Sequence, residues 1–565
     1  MKRFIFTLFL FLPILMFGNE LADLNAQKFG ILTLIPPVVA ITLAFITKDV
    51  IFSLFIGVFS GTFMMFIAQD NIFSAFIKGF VNVCNRMVHS MADPWNAGII
   101  LQVLAIGGVV ALITRMGGTK AVAEWLAKRA KNHKSSQIST WLMGLFVFFD
   151  DYANALIVGP VMRPVTDKFK VSREKLAFII DATAAPISGI AIISTWIGYE
   201  LSVIKSSYEI IGMTDVNAFA IFLETLPYRF YNIFMIIFVF ATAITAREFG
   251  PMYKAELRAR TTGITTSKNN IKMDDIEDKS ILPKAGIKLQ TSNAIIPILV
   301  LMFGAILGFY LNGLGALEGE ILKQVKADPF SLFALRETFG NADASVVLFQ
   351  AALFATVVAI FMGVYKKIFT ISEAISVWAK GWKTMIITII ILLLAWSLSS
   401  IIKDLGTSRY LVGILSDSVP LWVLPTTIFI LGSFISFSTG TSYGTMGILM
   451  PLAIPLAFAI GGYNSLTEHS LHSYMIINIG SVLTGAIFGD HCSPISDTTI
   501  LSSMGAGCNH IDHVSTQMPY ALLIGAISIL IGYLPVSFGL PVVFSLALGV
   551  ITIFTLLKII GKRVE

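Results

Sequence analysis

The chain has 565 residues, is 56% hydrophobic and only 13% charged, and has a mean hydropathy of +0.81. A soluble chain carries about 25% charged residues, so a water-soluble globular fold is excluded. The net charge of +6 does not point to nucleic acid, because the Lys and Arg sit in short loops, where they set membrane orientation.

Residues 1–29 come first. The opening "MKRFIFTLFLFLPILMFGNE" has two basic residues, an apolar run and then polar residues, which fits either a signal peptide or a first helix with a short outer segment. Apolar runs then recur to the C-terminus, such as Ala97 to Thr114, each long enough to cross a bilayer as a helix. Backbone groups in lipid must bond internally, and continuous runs satisfy that as helices. The expected fold is an all-α polytopic membrane protein.

Basic residues are uneven between the runs. Arg115 to Ser135 holds six Lys and Arg, Arg163 to Lys175 five, and Arg247 to Ser292 nine. Tyr199 to Pro227 holds only Lys205, and Gly462 to Ser470 none. The rich loops are expected in the cytoplasm, together with the C-terminus, in a cell membrane. The longest, residues 247–292, is polar and poor in aromatics and reads as a flexible linker. Both flanks of Ser136 to Met162 are basic, so this segment enters and returns on one side. It is expected to be a re-entrant hairpin with Asp150 and Asp151 near its tip.

A repeat underlies this pattern. Trp95 matches Trp382, "MGGT" at Met116 matches "DLGT" at Asp404, and "GLFVFFDDYANALIVGP" from Gly144 matches "GSFISFSTGTSYGTMGI" from Gly432, with an offset of 287 or 288. The offset widens to 308 where Pro186 meets Pro494 in a shared Pro-Ile-Ser. The helix near Pro36 should run inward and the one near Pro297 outward. The halves are therefore expected to be inverted, each with a re-entrant hairpin and a broken helix, as in transporters. The expected organisation is a first membrane repeat over 30–246, a cytoplasmic linker over 247–292, a second repeat over 293–518, and two more helices with a cytoplasmic tail over 519–565.

Polar residues inside these runs mark the site. An acidic side chain at a helix centre costs about 2.5–3.5 kcal/mol, so Asp150 and Asp151 call for a cation, a proton or a basic partner such as Arg163. Asn154 lies one turn on and offers a neutral oxygen, or a bond between helices. Ser438, Thr439, Thr441 and Ser442 offer hydroxyls on the matching segment, whose glycines suit either close approach of backbone to a ligand or helix packing. In "FGDHCSPISDTTILSS", Asp490, His491, Ser493, Ser496, Asp497 and Thr498 crowd around Pro494, which breaks the helix and frees carbonyls. Its counterpart at Pro186 is flanked by Asp181, Thr183 and Ser188. Carboxylates, hydroxyls and carbonyls are hard oxygen ligands that suit Na⁺. His491 could carry protons or bond quietly to a neighbouring helix.

Two other constellations carry less. Cys492, Cys508, His510 and His513 lack the close pairs of a zinc site, and Cys84, Cys492 and Cys508 give no disulfide framework. "GTSYG" fits the nucleophile-elbow pattern, with Ser442 and His491 as a conceivable hydrolase pair, but it lies in a membrane hairpin and not on a strand-to-helix turn.

Two stretches, Gly489 to Leu522 and Phe148 to Gly198, resemble the NhaC-type sodium/proton antiporter family of the ion-transporter superfamily. The resemblance implies inverted repeats with paired hairpins and an ion-coupled carrier working by an elevator-like shift. It leaves organic acids, amino acids or drugs as alternative cargoes. The expected function is Na⁺/H⁺ antiport with no cofactor and no resident metal. The expected partners are the two ions and the bilayer, and a homodimer is kept open. Na⁺ and H⁺ would compete for the acidic pair, since desolvation disfavours a bare carboxylate, and the pair would titrate as a unit.

Overall fold

The computed structural model describes residues 20–47, 49–68, 70–192, 194–267, 283, 286–407, 410 and 419–564. The leader expected over residues 1–18 and residues 268–282 of the linker lie outside them. Among the described residues, ten helices are long and apolar enough to cross a membrane, from Ala22–Ala44 to Val542–Ile560. A further pair, Ala218–Tyr228 and Phe230–Thr245, is bent by 48°. The chain is thus a helical, multi-pass membrane protein.

The segment around Asp150 is a hairpin. Helix His133–Phe146 ends at Val147, whose ψ of 45° leaves the helical region, and helix Asp151–Lys168 starts four residues later. The two arms run back along each other, because Asn154 Nδ2 donates to the Gly144 carbonyl at 2.9 Å, from about as far past the tip as Gly144 lies before it. A second hairpin joins Val423–Thr439 to Ser442–Tyr463. Leu449 Cδ1 lies only 3.3 Å from where a Cβ on Gly432 would be, so these arms are antiparallel too. Gly440 makes the turn with φ +67°, in the left-handed region that glycine enters freely.

Two helices break beside these tips. Arg173–Ala182 gives way at Thr183 to the short Ala185–Ser188 turn, and helix resumes at Ile197–Ile210. Glu468–Cys492 stops before Pro494 and resumes as Asp497–Ala506. Proline has no N–H to continue the ladder, so the breaks fall where the sequence puts Pro186 and Pro494.

The basic loops gather on one side. Arg260 donates to the Phe169 carbonyl at 2.9 Å, Arg258 pairs with Glu174 at 2.9 Å, Asn293 donates to the Met116 carbonyl at 3.0 Å, and Arg115 pairs with Glu373 at 2.9 Å. The C-terminal residues Lys562–Arg563 form an antiparallel ladder with Arg247–Glu248, which puts the end of the chain beside the start of the linker. Loops poor in basic residues meet on the other side, where Glu224 pairs with His472 and Lys205 lies 4.0 Å above the Trp95 ring. The first hairpin enters from the basic side and the second from the opposite one. Helix Pro94–Arg115 ends on the basic side, whereas Ile386–Asp404 ends opposite, near Lys205.

Three sequence expectations shift. The linker is not loop throughout, because Gly250–Thr262 is a helix with Glu256 buried against Arg260 at 3.0 Å. Trp95 lies at the start of helix Pro94–Arg115, whereas its match Trp382 lies near the end of helix Ile371–Thr384, ahead of the apolar helix that opens at Ile386. The boundary placed at residue 519 falls inside helix His510–Ile527, which carries Pro519 in its interior.

Arg229, at the bend of the Ala218–Thr245 pair, is a fully buried cation that the sequence reading does not single out. It bonds Glu200 at 2.8 Å, the Gly189 carbonyl at 3.0 Å and Thr225 at 3.1 Å, and so pins the first helix break to two neighbours. Breaking a buried pair by removing one partner costs about 3–5 kcal/mol. Arg229→Met is therefore expected to lower the melting temperature in detergent markedly, and adding Glu200→Gln to restore part of the loss.

Candidate cation-binding site

The hairpin tips and the second helix break surround a cavity of about 550 Å³. Asp150 and Asp151 line it from the first tip, Thr439, Gly440 and Thr441 from the second, and Asp497 from the start of the resumed helix. Both aspartates are about 5% exposed or less, whereas Asp497 is open to the cavity. Asp151 occupies the first turn of its helix, where the macrodipole favours negative charge. Thr439 donates within its helix to the Ile435 carbonyl at 2.9 Å, and Thr441 caps the next helix by accepting from Gly444 N–H at 3.4 Å. Those bonds hold both hydroxyl oxygens at the cavity wall.

Asp490 and Ser442 form a layer behind the wall. Ser442 donates to Asp490 Oδ2 at 2.7 Å and lies 3.3 Å from the Ala486 carbonyl. Asn154, matched to Ser442 in the repeat, likewise ties its tip to the neighbouring broken helix, donating to the Thr183 carbonyl at 2.6 Å. Both helix breaks give a serine to the facing tip: Ser188 donates to the Phe148 carbonyl at 3.3 Å, and Ser493 to the Phe437 carbonyl at 2.7 Å. Buried backbone groups need such partners where a helix is interrupted.

The other expected residues stand apart from the cavity. Ser438 bonds the Ile435 carbonyl of its own helix at 2.9 Å, and Ser496 and Thr498 bond each other at 2.9 Å. His491 Nδ1 sits 2.7 Å from the Tyr231 hydroxyl. With Ser442 on Asp490 and His491 on Tyr231, the serine–histidine contact of a hydrolase is not formed among the described residues. Asp181 is fully buried and receives Gln517 Nε2 at 2.8 Å, with His513 Nε2 at 3.7 Å. The Pro494 carbonyl itself is taken by His510 Nε2 at 2.6 Å. Arg163, weighed as a partner for the aspartates, donates to the Met504 and Gly505 carbonyls at 3.0 and 2.7 Å.

The sequence reading misses Tyr152, Thr195 and Tyr443, which also line the cavity. Tyr152 directly follows the aspartates and puts its hydroxyl 3.4 Å from Asp497, and a polar tip on that helix was a usable signal. Tyr443 is held between Trp196 and Tyr199, with ring centroids 4.9 and 4.7 Å away, and the Tyr199 hydroxyl bonds its carbonyl. Gln517, an amide two residues before a proline in an apolar helix, was legible as a polar anchor.

Glycines let these parts approach. A Cβ on Gly505 would lie 2.3 Å from the Ala155 carbonyl oxygen, so the first hairpin and the resumed helix meet backbone to backbone. At Gly440 a Cβ would sit 2.7 Å from the Ile495 carbonyl oxygen. Gly440→Ala adds that clash to a left-handed strain of about 1–2 kcal/mol, and is expected to weaken ²²Na⁺ binding by about tenfold or more. Gly462→Ala, with open space around it, is the matched control and should leave binding unchanged.

Comparison with known proteins bears on this geometry. An uncharacterized protein of Haemophilus influenzae is 33% identical over 544 residues, 96% of this chain and 97% of its own length. The arginine/ornithine antiporter ArcD of Halobacterium salinarum is 29% identical over 145 residues, 23% of this chain and 29% of that protein. The crystal structure of the Alcanivorax borkumensis YdaH transporter shares the fold, with a TM-score of 0.52, 12% identity and coverage of 84% of this chain and 91% of that one. Residues 189–538 match the model of the Na⁺/H⁺ antiporter family, a span that holds the second hairpin and the second helix break but not Asp150 and Asp151. The chain belongs to the Na⁺/H⁺ antiporter family, in keeping with its NhaC-type motifs, and is a secondary transporter.

Proposed function

We propose that the chain exchanges Na⁺ for H⁺ at the cavity between the hairpin tips, with Asp150 and Asp151 as the shared site for both ions. The observation that carries this reading is the meeting, in one cavity, of two adjacent buried carboxylates, the Thr439 and Thr441 oxygens of the facing tip, and Asp497. Hard oxygens of this kind suit an alkali cation. In low dielectric two adjacent carboxylates repel, so the pair is stable when it holds a cation or a proton and poor when bare. Na⁺ entering on one side displaces protons, and protons entering on the other displace Na⁺. The gradient of one ion thereby drives the other. Asp490 supports the second tip through Ser442 and lies outside the wall.

The two halves are proposed to be inverted repeats, which is supported by hairpins entering from opposite sides and by matched helices that run in opposite directions. The basic face, with the linker and the C-terminus, is assigned to the cytoplasm by the positive-inside rule, in a cell inner membrane. Alternation moves the hairpins with the broken helices they are tied to.

Asp150→Asn and Asp151→Asn are each expected to abolish Na⁺-driven proton movement in proteoliposomes while leaving a monodisperse protein. Full exchange in both variants would remove the pair from the mechanism. Because protons and Na⁺ compete, the apparent Na⁺ affinity of the unmodified protein should fall as pH falls and recover as it rises, measured by ²²Na⁺ uptake at a series of symmetric pH values.

A second reading is favoured by the size of the cavity. About 550 Å³ exceeds what a bare sodium ion fills and falls within the range of small-molecule pockets. A cationic amino acid, such as those exchanged by the arginine/ornithine antiporter relative, could place its basic group on the acidic pair. Uptake of labelled arginine that is absent in Asp151→Asn would favour this cargo over Na⁺.

A further inference from the structure

Behind the cavity, on the side of the basic loops, His510 and His513 converge on one hydroxyl. Ser503 Oγ lies 3.0 Å from His510 Nδ1, 2.8 Å from His513 Nδ1 and 2.7 Å from the Thr499 carbonyl. The far nitrogen of each ring is fixed by its own partner. His510 Nε2 lies 2.6 Å from the Pro494 carbonyl, which can only accept, so this nitrogen carries a hydrogen. His513 Nε2 lies 2.9 Å from Gln517 Oε1. The amide orientation of Gln517 is set by its nitrogen, which donates to Asp181 Oδ2 at 2.8 Å and to the His491 carbonyl. Turned the other way, its oxygen would face a carboxylate and a carbonyl. Gln517 Oε1 is therefore an acceptor, and His513 Nε2 also carries a hydrogen.

With both rings neutral, each Nδ1 is an acceptor. The Thr499 carbonyl is already met by the backbone N–H of Ser503 within its helix, so two ring nitrogens compete for the single hydrogen of Ser503. Buried polar groups left unmatched in this way are costly. One added proton removes the mismatch: one ring donates Nδ1–H to Ser503, and Ser503 donates to the other ring. We infer that His510, Ser503 and His513 form a second binding site for one exchangeable proton, separate from the cavity and adjacent to Asp181.

The surroundings fit that ligand. Asp181 on helix Arg173–Ala182 gives His513 a carboxyl neighbour at 3.7 Å. His491 lies near His513 from helix Glu468–Cys492, and Asp512, on the pair's own helix, accepts from Ser267. The guanidinium groups of Arg163 and Arg173 oppose a further positive charge from the carbonyls of Met504, Gly505 and Gly507. His513 is fully buried and His510 is half-buried, so the proton is exchanged with water through His510. The Pro494 carbonyl links the pair to the helix break. Its occupancy is thereby coupled to the element that carries Asp497. This assignment deepens the Na⁺/H⁺ reading and rests on it for its role in transport.

Two measurements on the full-length protein test it. In detergent, ¹⁵N-histidine NMR is recorded from pH 5 to 9, with His510→Gln and His513→Gln to assign the signals. A shared proton is expected, so that the titration of one ring shifts when the other is replaced and the coupling disappears in Ser503→Ala, which keeps both rings. Two rings that stay neutral throughout, or titrate independently, overturn the site. In proteoliposomes, His513→Gln and Ser503→Ala should keep ²²Na⁺/Na⁺ counterflow and lower Na⁺-driven proton flux about twofold, because the acidic pair still exchanges its own proton. Unchanged proton flux in both overturns the transport role. If the unmodified protein moves no protons against Na⁺, the antiport reading fails, and the NMR titration still decides whether the histidines hold a proton.

Discussion

A carboxylate cannot remain bare at membrane depth, and neither can an interrupted helix. Asp150 and Asp151 raise the first problem, and the four broken or turned segments around them raise the second. The structure meets both in one place. Two hairpin tips and two helix breaks converge, so carbonyls at both tips and the first break find serine or asparagine donors on the neighbouring element, and those at the second break find His510 and Gln517. The space left between them is lined in part by carboxylate and hydroxyl oxygens.

That arrangement makes the polar residues fall into layers with different work. At the wall are the two aspartates, the two threonines and Asp497. One step behind, Ser442 with Asp490 and Asn154 with the Gly144 and Thr183 carbonyls fix the tips to the broken helices. Further out, Arg229 with Glu200 and Lys175 with Glu248, the latter pair 2.8 Å apart, bury full charges as matched pairs. Buried pairs of this sort are weak sources of net stability but strict about geometry. They fix which elements move together: the first break is bound to the bent helix through Arg229, and the first hairpin to the resumed helix through Gly159 and Gly505.

Much of this was legible in the chain, because membrane burial leaves strong marks. Apolar runs give the spans, and the two basic flanks of Ser136 to Met162 give a hairpin from charge alone. Prolines 186 and 494 give the breaks. What could not be read is which oxygens share a space. Ser438 and Thr439 are adjacent, chemically alike and both bonded to the Ile435 carbonyl of their own helix, yet Thr439 lines the cavity and Ser438 does not, a difference set by helix rotation. Asp181 and Asp490 look equivalent around their prolines, but Gln517 and His513 come from the following helix, His510–Ile527, and contact Asp181. Arg229 escapes notice because a lone arginine beside a tyrosine in a loop gives no sign of its partners.

The most direct measurement of the central claim is a proton count. Sodium is added to the purified protein in weakly buffered detergent solution near neutral pH, and the protons released are measured against the Na⁺ bound. Competition at one acidic pair predicts release that saturates with Na⁺ binding and vanishes in Asp150→Asn and Asp151→Asn. Saturable Na⁺ binding with no proton release would contradict it.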